Sequence, residues 1–235
     1  MTSREATGRS AVIGAMEEEI EALLGALEGA RSETAGPFTV HRGRLEGRDV
    51  LVARCGIGKV NAAALTQALL ALGVDRVLFT GVAGAVQPGL AVGDLVISRD
   101  AVQHDLDVTA LGYRLGEVPG EPWSWQADAE LVHLALASAA EIAEVTTIVG
   151  RVLSGDQFIA DPARVAQLHE AFDGACAEME GAAVAQVCAR WGVPFVIIRS
   201  ISDTADHDAQ VDFRSFTPLA AARAKRVIRG ILRRL

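Results

Sequence analysis

Short apolar runs alternate with amphipathic stretches along most of this 235-residue chain. Residues 11–14 and 77–79 are typical of buried strands. After Met16, apolar side chains recur at positions 20, 23, 24 and 27, which is the spacing of one helical face. The alternation predicts one α/β domain over residues 11–235, with a mixed central sheet flanked by helices, behind a flexible tail over residues 1–10.

The remaining elements are predicted from the same periodicities and from turn residues. Glu46-Gly47-Arg48 predicts a hairpin turn, and residues 80–85 predict either a ligand-binding glycine loop or a plain tight turn. Loops are expected over 103–126 and 202–212. Further strands are predicted over 38–45, 49–55, 94–102, 146–153 and from 193, and helices over 128–142, from 161 and from about 215.

Composition narrows the class of protein. The formal net charge of −8 argues against a protein that binds nucleic-acid phosphates or an anionic membrane. The polar start predicts no signal peptide, and no uncharged apolar run approaches the length of a membrane span. Cys55, Cys176 and Cys188 lack metal-binding spacing and predict buried free thiols in a reducing compartment. We therefore expect a soluble cytoplasmic protein.

Charged side chains follow several apolar strands, where α/β sheets collect their ligands. They are Glu17 to Glu19, Glu178, Glu180, Arg199 and Asp203. Carboxyl groups in an apolar pocket suit acid–base catalysis, sugar binding and stabilisation of a cationic transition state. The simpler interpretations stay open: a first-turn glutamate, a helix cap at Asp203 and a structural ion pair at Arg199.

Other catalytic chemistries find little support. The sequence holds no nucleophile elbow and no Cys/His pairing. The apolar neighbours of the carboxylates disfavour a hard metal ion. His104 has no second histidine at ligand spacing and is predicted to be a hydrogen-bonded structural group.

Eight short motifs stand in order along the chain. They are Gly14-Ala15-Met16-Glu17-Glu18-Glu19, Gly56-Ile57-Gly58-Lys59-Val60, Thr80-Gly81-x-Ala83-Gly84, Val92-Gly93-Asp94, His104-Asp105-x-Asp107-Val108-Thr109, Ser154-Gly155-Asp156-x-Phe158-Ile159, Glu178-Met179-Glu180 and Ile201-Ser202-Asp203-x-Ala205-Asp206. With them the chain resembles the 5′-methylthioadenosine/S-adenosylhomocysteine nucleosidases, hydrolytic members of the nucleoside phosphorylase superfamily. The resemblance runs from Ala11 to the last helix.

The resemblance implies a role for each matching residue. Asp203 protonates N7 of adenine, Glu19 deprotonates the attacking water, and Arg199 helps to place that water. Glu180 and Met179 bind the ribose, Phe158 and Ile159 bind adenine, and Ser202 supports Asp203. Val82, Ala83 and Gly84 also contact the substrate, and Met16, Ile57 and Phe213 line the 5′-alkylthio pocket. Glu178 is left as a secondary ribose or water contact.

The resemblance also implies a homodimer in methionine salvage, in which the 103–126 loop completes the partner's pocket through Val108, Leu111 and Tyr113. Val82 departs from the usual Ser or Thr, Ala85 from a second glycine, and Leu111 from an aromatic residue. The resemblance implies neither a metal nor an organic cofactor. Three alternatives stay open: a nucleosidase for another adenine nucleoside, such as 5′-deoxyadenosine or aminodeoxyfutalosine, a phosphate-dependent phosphorylase of the same superfamily, and a non-catalytic nucleoside sensor. Glu17 to Glu19 would repel phosphate, which favours water as the acceptor.

Overall fold

The computed structural model describes residues 8–143, 145–203 and 209–235, with the side chains of 209–214 left out. It contains six helices and ten strands within these ranges. In chain order they are β1 (Ser10–Gly14), α1 (Glu17–Leu24), β2 (Glu28–Ala35), β3 (Phe38–Leu45), β4 (Arg48–Arg54), α2 (Lys59–Ala71), β5 (Arg76–Ala85), β6 (Leu95–Gln103), β7 (Trp125–Gln126), α3 (Ala129–Ala139), β8 (Thr147–Ser154), α4 (Pro162–Phe172), β9 (Gly174–Glu178), α5 (Gly181–Trp191), β10 (Phe195–Asp203) and α6 (Ala209–Arg234).

The strands form one mixed sheet in the order β10-β6-β8-β9-β5-β1-β4-β3-β2, with β7 paired to β6. β10 also pairs in parallel with β5, so that β5, β9, β8, β6 and β10 close into a ring. The strands β1, β4, β3 and β2 extend the sheet outward from β5. This arrangement confirms the predicted α/β class with a mixed central sheet, and adds a closure that the sequence did not predict.

Helices cover both faces of the sheet. Leu65 of α2 and Val184 of α5 belong to one core, while Ile20 of α1, Leu131 of α3 and Val227 of α6 belong to the other. All five of these side chains are buried. Burial of such stripes contributes about 1.5–3 kcal/mol for each large aliphatic side chain. The two cores hold the strand ends at fixed positions.

Capping residues explain where three of the helices begin or end. Asp128 caps α3 by accepting from the amide of Leu131, and Asp161 caps α4 with Pro162 at its first position. Gly192 closes α5 in the left-handed conformation at φ 65°. The hairpin turn predicted at Glu46-Gly47-Arg48 forms between β3 and β4.

Several boundaries differ from the sequence prediction. β5 continues through residues 80–85, which were expected to form a loop, because Gly81 and Gly84 pair with β10. β1 begins at Ser10, one residue inside the expected tail, and α6 begins at Ala209, not near Ser215. β2 was missed because seven of its eight residues are exposed and carry no apolar alternation. The 103–126 loop contains a short 3₁₀ turn and ends in β7.

Two further expectations concern the whole chain. Cys55, Cys176 and Cys188 are free and buried, as predicted. Within the described ranges, no helix is both long and apolar enough to cross a membrane.

Candidate active site

A cavity of about 290 Å³ lies where β1, β5, β9 and β10 end. Its lining includes most of the side chains that the sequence singled out: Met16, Glu19, Ile57, Val82, Ala83, Gly84, Phe158, Ile159, Glu178, Met179, Glu180, Ser202 and Asp203. Ala15, Gln157 and Ala177 line it as well. Ala15 and Gln157 lie within two of the eight motifs, and Ala177 directly precedes a third. Their position next to predicted site residues was the signal that could have identified them.

Glu19 is fixed at the start of α1, directly after β1. One carboxylate oxygen accepts from the amides of Ala15 (2.6 Å) and Met16 (2.9 Å), and the other accepts from the amide of Val82 (3.1 Å). The side chain is buried, and this burial raises the pKa of Glu19 although Arg199 and the three amides act in the opposite direction. A carboxylate with a raised pKa is a stronger base, which suits the removal of a proton from water.

Gly81 in β5 makes room for Glu19, which lines the cavity, and for Arg199, which does not. A methyl group at this position would lie 2.5 Å from Oε1 of Glu19 and 2.7 Å from Nη1 of Arg199. Both side chains are buried and cannot move into solvent. The absence of a side chain at residue 81 is therefore a condition for this arrangement of Glu19 and Arg199.

We expect Gly81→Ala to destabilise the protein by about 1–3 kcal/mol, because the added methyl overpacks a buried polar site. Displacement of Glu19 should also lower the catalytic rate about tenfold or more. Chemical unfolding and a rate assay would measure the two effects. Gly25→Ala is the matched control, since Gly25 has a helical φ of −63° and a methyl there meets its nearest atom at 3.6 Å. Equal stability of the two variants would contradict the prediction.

Arg199 and Glu178 form a buried ion pair, with 2.5 Å between Nη2 and Oε2. The guanidinium also lies 4.0 Å from the ring centre of Phe79. Glu178 accepts further hydrogen bonds from the hydroxyl of Ser154 and the amide of Gly181. Its carboxylate is thus engaged by internal donors.

This pairing bears on the roles expected of both residues. Arg199 is buried beside Glu178 and is not among the residues that line the cavity. Glu178 reaches the cavity surface, yet its oxygens are held by Arg199, Ser154 and backbone amides. The simpler interpretation of Arg199, a structural ion pair with a glutamate, matches this contact, and the role of helping to place the water stays a prediction.

Glu180 and Met179 connect β9 to α5 at the cavity floor. Oε1 of Glu180 accepts from the amide of Gly58 at 2.8 Å. Burial, with the nearby Glu178 carboxylate adding to it, raises the pKa of Glu180 to about 8. A carboxyl group in this position is suited to hydrogen bonds with hydroxyl groups of a ligand.

The raised pKa of Glu180 makes the stability of the free protein depend on pH. The folded state keeps the Glu180 proton up to about pH 8, while the unfolded chain releases it near 4.5. This contribution to stability is complete below pH 4.5 and is lost as the pH rises through about 8. We expect Glu180→Gln to remove this decline and to raise the Tm at pH 8 by at least several degrees.

Calorimetry of the free protein across this pH range would test the expectation. Glu130→Gln, an exposed position in the first turn of α3, is the control and should leave the pH profile unchanged. A Glu180→Gln profile with the wild-type slope would be inconsistent with a raised pKa at this residue.

Asp203 is the last residue of β10 and is buried. The hydroxyl of Ser202 donates to Oδ2 of Asp203 at 2.8 Å, which fixes the orientation of the carboxyl group. Asp203 and Glu19 line the same cavity although 184 residues separate them along the chain (203 − 19 = 184). The register of β10 with β5 and of β5 with β1 brings them together.

Besides Arg199, three of the predicted site residues are absent from the cavity lining, and a fourth is not described. Phe213 lies outside the residues whose side chains are described. Val108, Leu111 and Tyr113 lie in the 103–126 loop, where Leu111 is 73% and Tyr113 is 37% exposed. Within one chain these loop residues remain outside the pocket.

His104 differs from its prediction. It is buried, but neither ring nitrogen has a hydrogen-bond partner among the described residues. Only its backbone amide is engaged, donating to the carbonyl of Ser154 at 2.9 Å. Burial lowers the pKa of this imidazole. Separately, the described part of the chain contains no cluster of His, Cys, Asp and Glu side chains arranged to hold a metal ion.

Comparison with known proteins places this site in a family. The sequence model of the phosphorylase superfamily matches residues 9–233, and the chain belongs to that superfamily. Among its curated relatives is a 5′-methylthioadenosine/S-adenosylhomocysteine nucleosidase from Geobacillus kaustophilus, which is 43% identical over 226 residues and aligned over 95% of this chain and 96% of the relative. The resemblance found in the sequence is thereby confirmed.

Solved structures agree with this placement. The nucleosidase of the same name from Neisseria meningitidis, in complex with methylthio-immucillin-A, superposes with a TM-score of 0.94 at 39% identity, covering 97% of this chain and 100% of that one. A futalosine hydrolase from Helicobacter pylori superposes with a TM-score of 0.91 at 34% identity, covering 97% and 98%. Both the nucleosidase and the futalosine hydrolase therefore share the fold of this chain.

Proposed function

We propose that this protein hydrolyses the N-glycosidic bond of 5′-methylthioadenosine and S-adenosylhomocysteine. The observation that carries the proposal is the single cavity lined by Glu19, Glu180 and Asp203. All three carboxyl groups are buried, and Met16, Val82 and Met179 supply apolar surface beside them. The curated relatives carry the name of this activity.

The reaction needs an acid for the leaving base and a base for water. Asp203 gives its proton to N7 of adenine, and the bond between C1′ and N9 breaks, leaving positive charge on the ribosyl group. Glu19 takes a proton from water as the water oxygen bonds to C1′. The products are adenine and the 5-thio-substituted ribose, and each catalytic carboxyl then returns to its starting protonation state through solvent.

The remaining lining residues account for substrate binding. Glu180 accepts hydrogen bonds from the ribose hydroxyls, and Met179 packs beneath the sugar. Phe158 stacks on adenine, beside the backbone of Ile159. Ala83 and Gly84 lie at the end of β5 and bring backbone groups to the ligand. Met16 and Ile57 form the wall for the 5′-alkylthio group, to which we also assign Phe213.

Charge favours hydrolysis over phosphorolysis. None of the described lining residues is a lysine, arginine or histidine, whereas four are carboxylates. Arg199 is the nearest buried cation, and Glu178 already neutralises it. Phosphate entering this cavity would find no free cation among the described lining residues to balance its charge.

We further propose a homodimer in which the 103–126 loop completes the partner's pocket. Ile57 and Phe158 line the cavity but are 57% and 47% exposed, and Leu111 on the loop is 73% exposed. Apolar surface of this kind at a pocket mouth is covered in most soluble proteins. Location in the cytoplasm stays a prediction, which the three free buried thiols support. A role in methionine salvage also stays a prediction.

A second substrate is favoured by two observations. A futalosine hydrolase shares the fold with a TM-score of 0.91. Val82 also places an isopropyl group, packed on Ala220 and Ala221, where the resemblance predicts a hydroxyl near the ribose. Aminodeoxyfutalosine is therefore the alternative substrate to examine.

One assay tests the proposal. The protein is incubated without phosphate with 5′-methylthioadenosine, S-adenosylhomocysteine, 5′-deoxyadenosine or aminodeoxyfutalosine, and free adenine is measured. We expect release from the first two. Release that requires phosphate would instead establish a phosphorylase, and binding without any release would establish a sensor.

A further inference from the structure

A compact polar cluster lies beside the cavity, outside the residues assigned to the reaction. Nζ of Lys59 donates to Oδ1 of Asp105 at 2.5 Å, and the backbone amide of Lys59 donates to Oδ1 of Asp156 at 2.8 Å. Oδ2 of Asp105 accepts from the amide of Asp156 at 2.9 Å, which closes the triangle. We call Lys59, Asp105 and Asp156 the lysine cluster.

The ion pair in this cluster is shielded from solvent. The side chains of Lys59 and Asp105 are 16% and 17% exposed. Burial alone would raise the pKa of Asp105, but the hydrogen bonds from Lys59 and Asp156 outweigh it and the pKa is lowered. A pair with this little exposure is screened less by salt than one on the open surface.

Each member of the lysine cluster belongs to a different segment around the cavity. Asp105 lies at the start of the 103–126 loop, and Asp156 lies two residues before Phe158. Lys59 begins α2 directly after Gly58, whose amide donates to Glu180 at 2.8 Å. A second bond from Nζ of Lys59, 3.0 Å to Gln103, adds to the attachment of the loop.

Gly58 needs such a restraint. Its φ of +99° lies in a region that only glycine adopts readily, and a glycine has a wide choice of conformations when nothing holds it. The Gly58 amide donates to the carboxylate of Glu180, and the next amide, that of Lys59, donates to Asp156 of the lysine cluster. The carbonyl of Gly58 also accepts from the amide of Ala62 at the start of the helix. Loss of the cluster removes one of these restraints, so the Gly58 amide is aimed less firmly at Glu180.

We propose that Lys59 and Asp105 are positioning residues, which aim the Gly58 amide at Glu180 and so hold its carboxylate toward the sugar hydroxyls. This inference rests on the proposed function, in which Glu180 binds those hydroxyls. The same cluster holds the segment that leads to Phe158, so the sugar and base contacts share one support. Neither Lys59 nor Asp105 is among the residues that line the cavity.

The test compares 5′-methylthioadenosine with its 3′-deoxy analogue, which lacks one of the hydroxyls. In the wild type we expect kcat/KM to favour the riboside, and we expect Lys59→Met and Asp105→Asn to reduce that preference about tenfold, the value of one well-placed hydrogen bond. The KM for the riboside should rise while kcat changes less. A purely structural defect would lower kcat/KM for both substrates by the same factor and leave the preference for the riboside unchanged.

Asp107→Asn is the matched control, because Asp107 lies in the same loop and its carboxylate bonds only Thr109 among the contacts found for it. It should keep the wild-type preference. An unchanged preference in both Lys59→Met and Asp105→Asn would overturn the inference, as would an equal loss in Asp107→Asn. Circular dichroism verifies folding; if Asp105→Asn does not fold, Lys59→Met decides alone. A wild-type protein that releases no adenine would instead overturn the proposed function, and this inference with it.

Discussion

Replacing Asp203 by asparagine is expected to lower the rate of adenine release by about 10³-fold, within the range that general acids contribute. The amide keeps the size of the carboxyl group and can still accept from the Ser202 hydroxyl, so the fold should be unchanged. It has no acidic proton for N7 of adenine. Substrate should still bind, with a KM that changes much less than kcat. Single-turnover kinetics with 5′-methylthioadenosine would measure both.

The matched control is Asp128→Asn. Asp128 caps α3, and asparagine is an equally good cap, so activity and stability should both stay near wild type. An Asp203→Asn variant with more than about a tenth of the wild-type rate would be too active for the loss of a general acid. In that case the proton would have to reach adenine from another group.

Removal of Arg199 should have the largest effect on stability. We expect Arg199→Met to destabilise the protein by about 3–5 kcal/mol, because it leaves Glu178 buried without its partner. Glu19 also loses the cation that opposes the effect of its burial, so its pKa should rise further. Urea unfolding at neutral pH would measure the loss of stability.

Two further variants separate the ion pair from simple packing. Adding Glu178→Gln to Arg199→Met should recover part of the stability, since residue 178 then carries no uncompensated charge. Arg229→Met removes an exposed pair with Glu46 and should cost about 1 kcal/mol or less. If Arg199→Met were as mild as Arg229→Met, the pair with Glu178 would not be holding the site together.

The α/β class and most strands could be predicted because apolar runs and helical stripes are local signals. β2 could not, since its residues are nearly all exposed and only its pairing with β3 makes it a strand. The extension of β5 past Phe79 was equally hidden, because glycine-rich sequence is typical of loops. Closure of the ring depends on β10 pairing with both β5 and β6, which no local pattern records.

The candidate site also contains residues that could be predicted from the sequence and contacts that could not. Glu19, Glu180 and Asp203 could be selected because charge after an apolar strand is unusual and the motifs match a family. The ion pair between Glu178 and Arg199 could not be predicted, because the sequence does not show which of the glutamates pairs with the arginine. The contact of Gly58 with Glu180 joins residues 122 positions apart and depends on how α2 and β9 meet in space.

The outermost strand, β2, has a consequence for how copies of this chain can meet. Its sequence, Glu28-Gly-Ala-Arg-Ser-Glu-Thr-Ala35, places charges of both signs along the open edge of the sheet, and its register shifts between Glu28 and Arg31. Charged and irregular edges discourage the addition of a further strand from another molecule. Edge-to-edge aggregation is thereby opposed at the open end of the sheet, and self-association is directed to helices and loops.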